Sequence, residues 1–165
     1  MDRLVAAWQA ERPDLDVTPL QVLSRVSRLA RHLERARQRV FSAHDLEAWE
    51  FDVLTALRRA GEPYRLSPGR LLRATLVTSG TMTNRIDRLT ATGLVERHPD
   101  PQDKRGVQVQ LTAKGKGLVD DTFADLLDRE RELLDGLSPD NQGRLADLLR
   151  TLLVPFDTSP DGRTA

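Results

Sequence analysis

Residues 78–98, TSGTMTNRIDRLTATGLVERH, and residues 107–111, VQVQL, decide the fold, because the hydrophobic period changes between them. Up to Thr92 the apolar side chains Met82, Ile86 and Leu89 recur at i, i+4 and i+7, the spacing of one helical face. Thr78 or Ser79 supplies a hydroxyl cap for that helix, and Gly93 stands where helices end in the left-handed conformation. From Leu94 the period is two. Leu94–His98 reads as a strand and Val107–Leu111 alternates cleanly as its partner. The residues between them, HPDPQDKRG from His98 to Gly106, are polar and turn-forming, so they read as a hairpin loop with a basic tip.

Working towards the N-terminus, Ser67-Pro68 starts a brief helix through Leu71 and Leu72, and Tyr64–Leu66 is a short extended link. A helix follows Asp45, with Leu46, Trp49, Val53, Leu54 and Leu57 facing inward and Gly61 ending it. Thr18-Pro19-Leu20-Gln21 reads as a capping box with Thr18 at the N-cap. The helix it opens carries a stripe of Val22, Val26, Leu29, Leu33, Ala36 and Val40, and Arg25, Arg28, Arg31, Arg35 and Arg39 on its other side. Residues 2–11 form a further short helix, stopped before Arg12-Pro13. Towards the C-terminus, Thr112 caps a long helix to about Asp135, and Ser138-Pro139 starts a last one with Leu145, Leu148, Leu149 and Leu152 as its stripe.

The expected architecture is mainly α with a small β wing: a winged helix-turn-helix flanked by long helices too apolar to stand alone. Residues 1–17 are an N-terminal extension helix, 18–153 the body with its DNA-binding part at about 62–112, and 154–165 a disordered tail.

Composition narrows the function by exclusion. The chain has 165 residues, 39% hydrophobic and 30% charged, which suits one polar globular domain. No apolar run approaches the roughly 18 residues of a membrane span, and the start, Met1-Asp2-Arg3, is unlike a signal peptide; a cytoplasmic protein without membrane contact is expected. Cysteine is absent, which removes disulfides, thiolate metal sites and cysteine nucleophiles. His32, His44 and His98 stand on separate elements without metal-ligand spacing. No phosphate-binding loop, nucleophile elbow or dinucleotide turn occurs, so no enzyme, catalytic residue, metal or cofactor is expected.

Lys+Arg and Asp+Glu both number 25, giving zero net charge, but most arginines precede Gly106 while residues 120–135 are mostly acidic. A neutral chain divided in this way can still bind a polyanion locally. The outward set on the 79–91 helix is Ser79, Thr81, Thr83, Asn84, Asp87 and Arg88. Small hydroxyls, an amide and an arginine near a helix N-terminus suit a major groove, giving donors to phosphates and base edges. Lys104 and Arg105 at the hairpin tip suit the strongly negative minor groove, with Asp103 to orient a guanidinium. The DNA-binding set is therefore Ser79, Thr81, Thr83, Asn84, Arg88, Lys104 and Arg105.

The stretch Thr83-Asn84-Arg85-Ile86 through Leu89, Gly93-Leu94-Val95 and Arg97, with Asp103-Lys104-Arg105 after it, resembles the MarR family of bacterial transcription regulators. Their signature S-N-R-I-x-R-L-x-x-x-G-L-V-x-R is matched with Thr83 in place of the serine, and Leu111-Thr112-Ala113-Lys114-Gly115 matches the family's L-T-x-x-G. The resemblance spans about residues 18–153. It implies a homodimer built from the terminal helices, with one winged helix per subunit on a palindromic operator duplex, usually as a repressor.

Trp8 on an extra N-terminal helix, the link at residues 12–16 and Glu50-Phe51-Asp52-Val53-Leu54 further resemble the PecS/HucR subgroup, whose members bind urate or related purine products. Carried over residue by residue, that resemblance implies a ligand set of Trp8, Asp52, Arg85 and Arg97, with Arg59 as a further polar contact. His98 stands where members often have a second arginine after Arg97. Two arginines and an indole suit a flat anionic heterocycle, through bidentate contacts and stacking. In the free dimer Asp52 is then expected to pair with Arg85 or Arg97, and an anionic ligand to compete for that arginine. The alternatives are a MarR-type repressor taking a phenolic ligand, and a dimeric winged-helix scaffold for protein interactions.

Overall fold

The computed structural model describes residues 1–157 except 76, 77, 102, 104 and 105. Ten elements follow in chain order: α1 (Asp2–Glu11), α2 (Thr18–Ala43), α3 (Ala48–Arg59), β1 (Arg65–Leu66), α4 (Pro68–Thr75), α5 (Ser79–Ala91), β2 (Val95–Pro99), β3 (Val107–Leu111), α6 (Ala113–Leu134) and α7 (Pro139–Asp157). This is the expected winged helix-turn-helix between long helices. The period of two becomes the antiparallel pair β2–β3, with Arg97 opposite Val109. The link at residues 64–66 does more than connect: β1 pairs with β3, making a three-stranded sheet of order β1-β3-β2.

The core forms where the helix-turn-helix meets the long helices. Leu54 and Leu57 of α3, Leu71 of α4, Met82, Ile86 and Leu89 of α5, and Val95, Val109 and Val119 are all fully buried in one cluster. Gly93 takes a φ of +71° and turns the chain from α5 into the sheet. Thr112 then binds the start of β2 to the start of α6. Its hydroxyl donates to the Gly93 carbonyl at 2.8 Å and accepts the Gly115 N–H at 3.0 Å.

The uneven charge along the sequence resolves into contacts within the chain. Acidic positions of α6 meet the front half at Arg58–Asp120 (2.7 Å), His44–Asp125 (2.8 Å) and Arg37–Glu130 (2.7 Å). Part of the basic front is thus consumed in fastening α2 and α3 to α6.

Several boundaries differ from expectation, among them the end of α4, which runs three residues past Leu72 to Thr75. Val17, not Thr18, is the N-cap of α2, and Asp16 Oδ1 accepts the Thr18 N–H at 2.9 Å, so an upstream carboxylate replaces the expected capping box. At α3 the capping box exists but is made by Glu47 and Glu50, which delays the start to Ala48. Helix α7 runs through Pro155 to Asp157, four residues into the stretch 154–165 expected as a tail. Proline's fixed φ is helical, so the last turn can pass through it at the loss of one N–H. Residues 158–165 lie outside the described residues.

Candidate nucleic-acid interface and ligand cleft

Helix α5 is anchored by Met82, Ile86 and Leu89, which directs its other residues outward. Ser79, Thr81, Thr83, Asn84 and Arg88 are all exposed, as a groove-facing surface requires. Two hydroxyls have local partners: Thr81 Oγ1 lies 2.9 Å from Thr78 Oγ1, and Thr83 Oγ1 donates to the Ser79 carbonyl at 3.2 Å. Such bonds fix side-chain posture while leaving lone pairs for a second contact. Lys104 and Arg105 lie outside the described residues. The base of their loop is closed by Asp100 N–H to the Gly106 carbonyl, 2.9 Å, and Gly106 N–H to the Asp103 carbonyl, 2.8 Å.

The expected ligand residues are distributed over three places. Asp52 and Arg59 come together in a cleft of about 290 Å³ between α3 and α4, lined also by Phe51, Thr55, Ala74 and Thr75. Asp52 is open to solvent in the single protomer, yet burial against the cleft walls raises its carboxyl above the usual carboxylate range; Arg85, Arg37 and Arg59 pull the other way. Arg85 is therefore within electrostatic reach of the cleft, although its guanidinium lies over the Trp49 ring, 5.3 Å from the centroid.

Arg97 is not at the cleft. Its Nη2 donates to Asp87 Oδ1 at 2.6 Å, so it ties β2 to α5. Trp8 stands half-exposed on α1 and is not among the residues lining the cleft. Within the single protomer no ion pair joins Asp52 to Arg85 or Arg97, the pairing expected of the free dimer; there Asp87 and the Trp49 ring hold those arginines.

Two residues outside the expected sets belong to this region. Glu47 accepts hydrogen bonds from Arg88 Nη2 at 2.5 Å and from the Trp49 indole N–H at 2.7 Å. The Arg88 guanidinium lies 4.7 Å from the Trp49 ring centroid. A tryptophan in the first turn of α3 signals only burial when seen in sequence, and its arginine partners lie 36 and 39 positions away.

Comparison with known proteins gives one answer. The sequence model described as the MarR family matches residues 44–106. The chain is 39% identical to the HTH-type transcriptional regulator PecS of Dickeya dadantii over 88% of each chain. A mutant of Escherichia coli MarR complexed with operator DNA superimposes with a TM-score of 0.64 at 30% identity, over 84% of this chain and 99% of that one. Bordetella bronchiseptica BpsR, described in terms of regulation of its DNA binding by 6-hydroxynicotinic acid, gives 0.67 at 28% identity, over 84% and 96%.

Proposed function

The chain belongs to the MarR family of transcriptional regulators, which bind operator DNA, and on that premise we propose a homodimer released from a palindromic operator by a small anionic heterocycle of the urate type. Like its relatives it is a regulator and not an enzyme. The DNA-binding set is the exposed face of α5 with Lys104 and Arg105 of the wing; the ligand set is Asp52, Arg59 and Arg85, while Trp8 and Arg97 stand away from the cleft within the protomer.

The dimer is supported by what one protomer leaves uncovered. Among its described residues helix α7 buries none, and Leu148, Leu152 and Phe156 are 64%, 50% and 76% exposed. Val22, Leu29 and Phe123 add to the same apolar excess, more than a monomeric surface ordinarily carries.

The observation that carries the ligand reading is the cleft at the α3–α4 junction, with the guanidinium groups of Arg85, Arg37 and Arg59 in electrostatic range of its one lining carboxylate. A planar anion there is drawn by Arg59 and Arg85 and repelled by Asp52. Because Arg85 belongs to α5, any displacement of it acts on the DNA-facing helix itself. The regulation of BpsR by 6-hydroxynicotinic acid provides a precedent for a small ring acid acting on this fold. A coupling of about 1–3 kcal/mol between cleft and interface is typical of such switches.

The test is binding of the purified protein to duplex DNA from its own promoter, titrated with urate and, in parallel, with a phenolic acid. Release by urate at low concentration supports the reading. Release by the phenolic acid alone replaces the ligand. Salt-insensitive or absent binding removes the operator and leaves a dimeric scaffold, since phosphate contacts must weaken as salt rises.

A further inference from the structure

Trp49, partly buried against the core from the first turn of α3, also meets the DNA-facing helix. The guanidinium groups of Arg85 and Arg88, one turn apart on α5, both lie over its ring. Glu47 completes the seat by accepting from Trp49 with one oxygen and from Arg88 with the other. Glu47 is itself immobilised as the N-cap of α3, in reciprocal hydrogen bonds with Glu50. Arg88, followed by Trp49, holds the Glu47 carboxyl below its ordinary range, so the carboxylate stays charged. Trp49, Arg85 and Arg88 line an open depression of about 380 Å³ with Gly80, Thr81 and Asn84, on the face presented to DNA.

A long arginine side chain at the surface samples many rotamers, and a ring face with a carboxylate holds it in one. Both contacts are solvent-exposed, hence weak and exchangeable; a DNA phosphate can take the place of Glu47 while the ring contact persists. We propose that Trp49 is a positioning residue for operator binding: it holds Arg88 at the DNA face and, because Arg85 shares the ring, ties that posture to the cleft containing Asp52. The proposal deepens the operator-binding reading above and rests on it.

The experiment uses the full-length, ligand-free protein and an operator selected from random duplexes. Trp49→Leu, Arg88→Ala, their combination and Trp49→Phe are compared, each with a thermal melt. In a dimer with two such seats, Trp49→Leu weakens binding about ten-fold and Trp49→Phe restores most of it. The combination binds no worse than Arg88→Ala, because Trp49 acts through Arg88. Losses that multiply in the combination, or a Trp49→Leu protein that binds like wild type, overturn the proposal.

Fluorescence tests the second half. The chain has two tryptophans, so Trp8→Phe leaves Trp49 as the reporter. Its emission shifts when operator is added, and shifts without DNA when Asp52→Asn is introduced. An emission unmoved by either overturns the corresponding link. None of these measurements uses urate, so a failure of the purine reading is seen separately.

Discussion

Gly115 and Gly117 stand two residues apart in α6, and the same substitution at each is expected to act in opposite directions. A Cβ on Gly115 would lie 2.0 Å from the Leu94 carbonyl oxygen and 2.9 Å from its carbon. A carbon beside a carbonyl oxygen needs about 3.3 Å, so α6 or the start of β2 must yield by more than about 1 Å. Neither is free to do so. The Leu94 carbonyl accepts the Thr112 N–H at 3.2 Å, and the Thr112 hydroxyl caps α6. Overpacking costs about 1–3 kcal/mol, and each hydrogen bond lost at this joint about 1 kcal/mol more. The helix propensity of alanine returns about 1 kcal/mol. Gly115→Ala should therefore destabilise by about 3 kcal/mol. Gly117 has nothing within 4 Å of its Cβ position, and Gly117→Ala should stabilise by about 0.5–1 kcal/mol. Urea denaturation at one fixed protein concentration separates the two midpoints by about 2 M for an m-value of about 2 kcal/mol/M. A Gly115→Ala protein within about 1 kcal/mol of wild type would refute the reasoning, since the close approach to Leu94 would then carry no constraint.

Asp52→Asn should blunt the urate response while keeping ligand-free operator affinity within about three-fold, a shift of well under 1 kcal/mol; a wild-type urate response would sink the switch. The same residue sets a pH dependence. Its carboxyl is raised by burial, so the folded state favours the protonated form and loses stability as pH rises above the ordinary carboxylate range; Asp52→Asn should flatten that loss in denaturation midpoints followed against pH. Asp120 has the opposite sign: Arg58, then Lys116, hold it low, so its contribution is present at neutral pH and lost as pH falls through the depressed value. Asp120→Asn should reduce the acid sensitivity of unfolding, and an unchanged acid limb would count against the α3–α6 pairing. Arg105→Ala should cost about 1–3 kcal/mol of operator affinity and relax sequence preference, as read from binding to point-substituted duplexes.

The parts of the fold legible in sequence are those whose cause is local. The change of period at Gly93 lies within one run of residues, and so do the hydroxyl cap at Thr112 and the inward face of α5. Strand β1 was legible only as an extended link, because two residues show no period; its pairing with β3 is a property of chain geometry 45 residues apart. The start of α3 is decided by two glutamates capping each other, a choice that Asp45 nearby obscures. The ligand set was legible by residue type through resemblance, but the positions of its members depend on competition. Arg97 has Asp87 within reach, and Arg85 has the Trp49 ring, so neither forms an ion pair with Asp52 within the protomer, although Arg85 still acts on it electrostatically. No sequence pattern announces which of several acids an arginine will choose.

That competition also constrains how a ligand signal can travel. The Arg97–Asp87 pair and the packing of Met82, Ile86 and Val95 in one core join α5 to the first wing strand. An anion that recruited Arg97 would have to displace Asp87, and the buried packing would still hold helix and strand together. The cleft lies instead between α3 and the C-terminal end of α4, at Ala74 and Thr75, just ahead of α5. There α3 presents Asp52 and Arg59 to the end of α4, while Trp49, one turn earlier on α3, meets Arg85 and Arg88 of α5 directly. On the proposed switch, the cleft would act on α5 through Arg85, the one arginine of that helix in electrostatic range of Asp52 among those named for it.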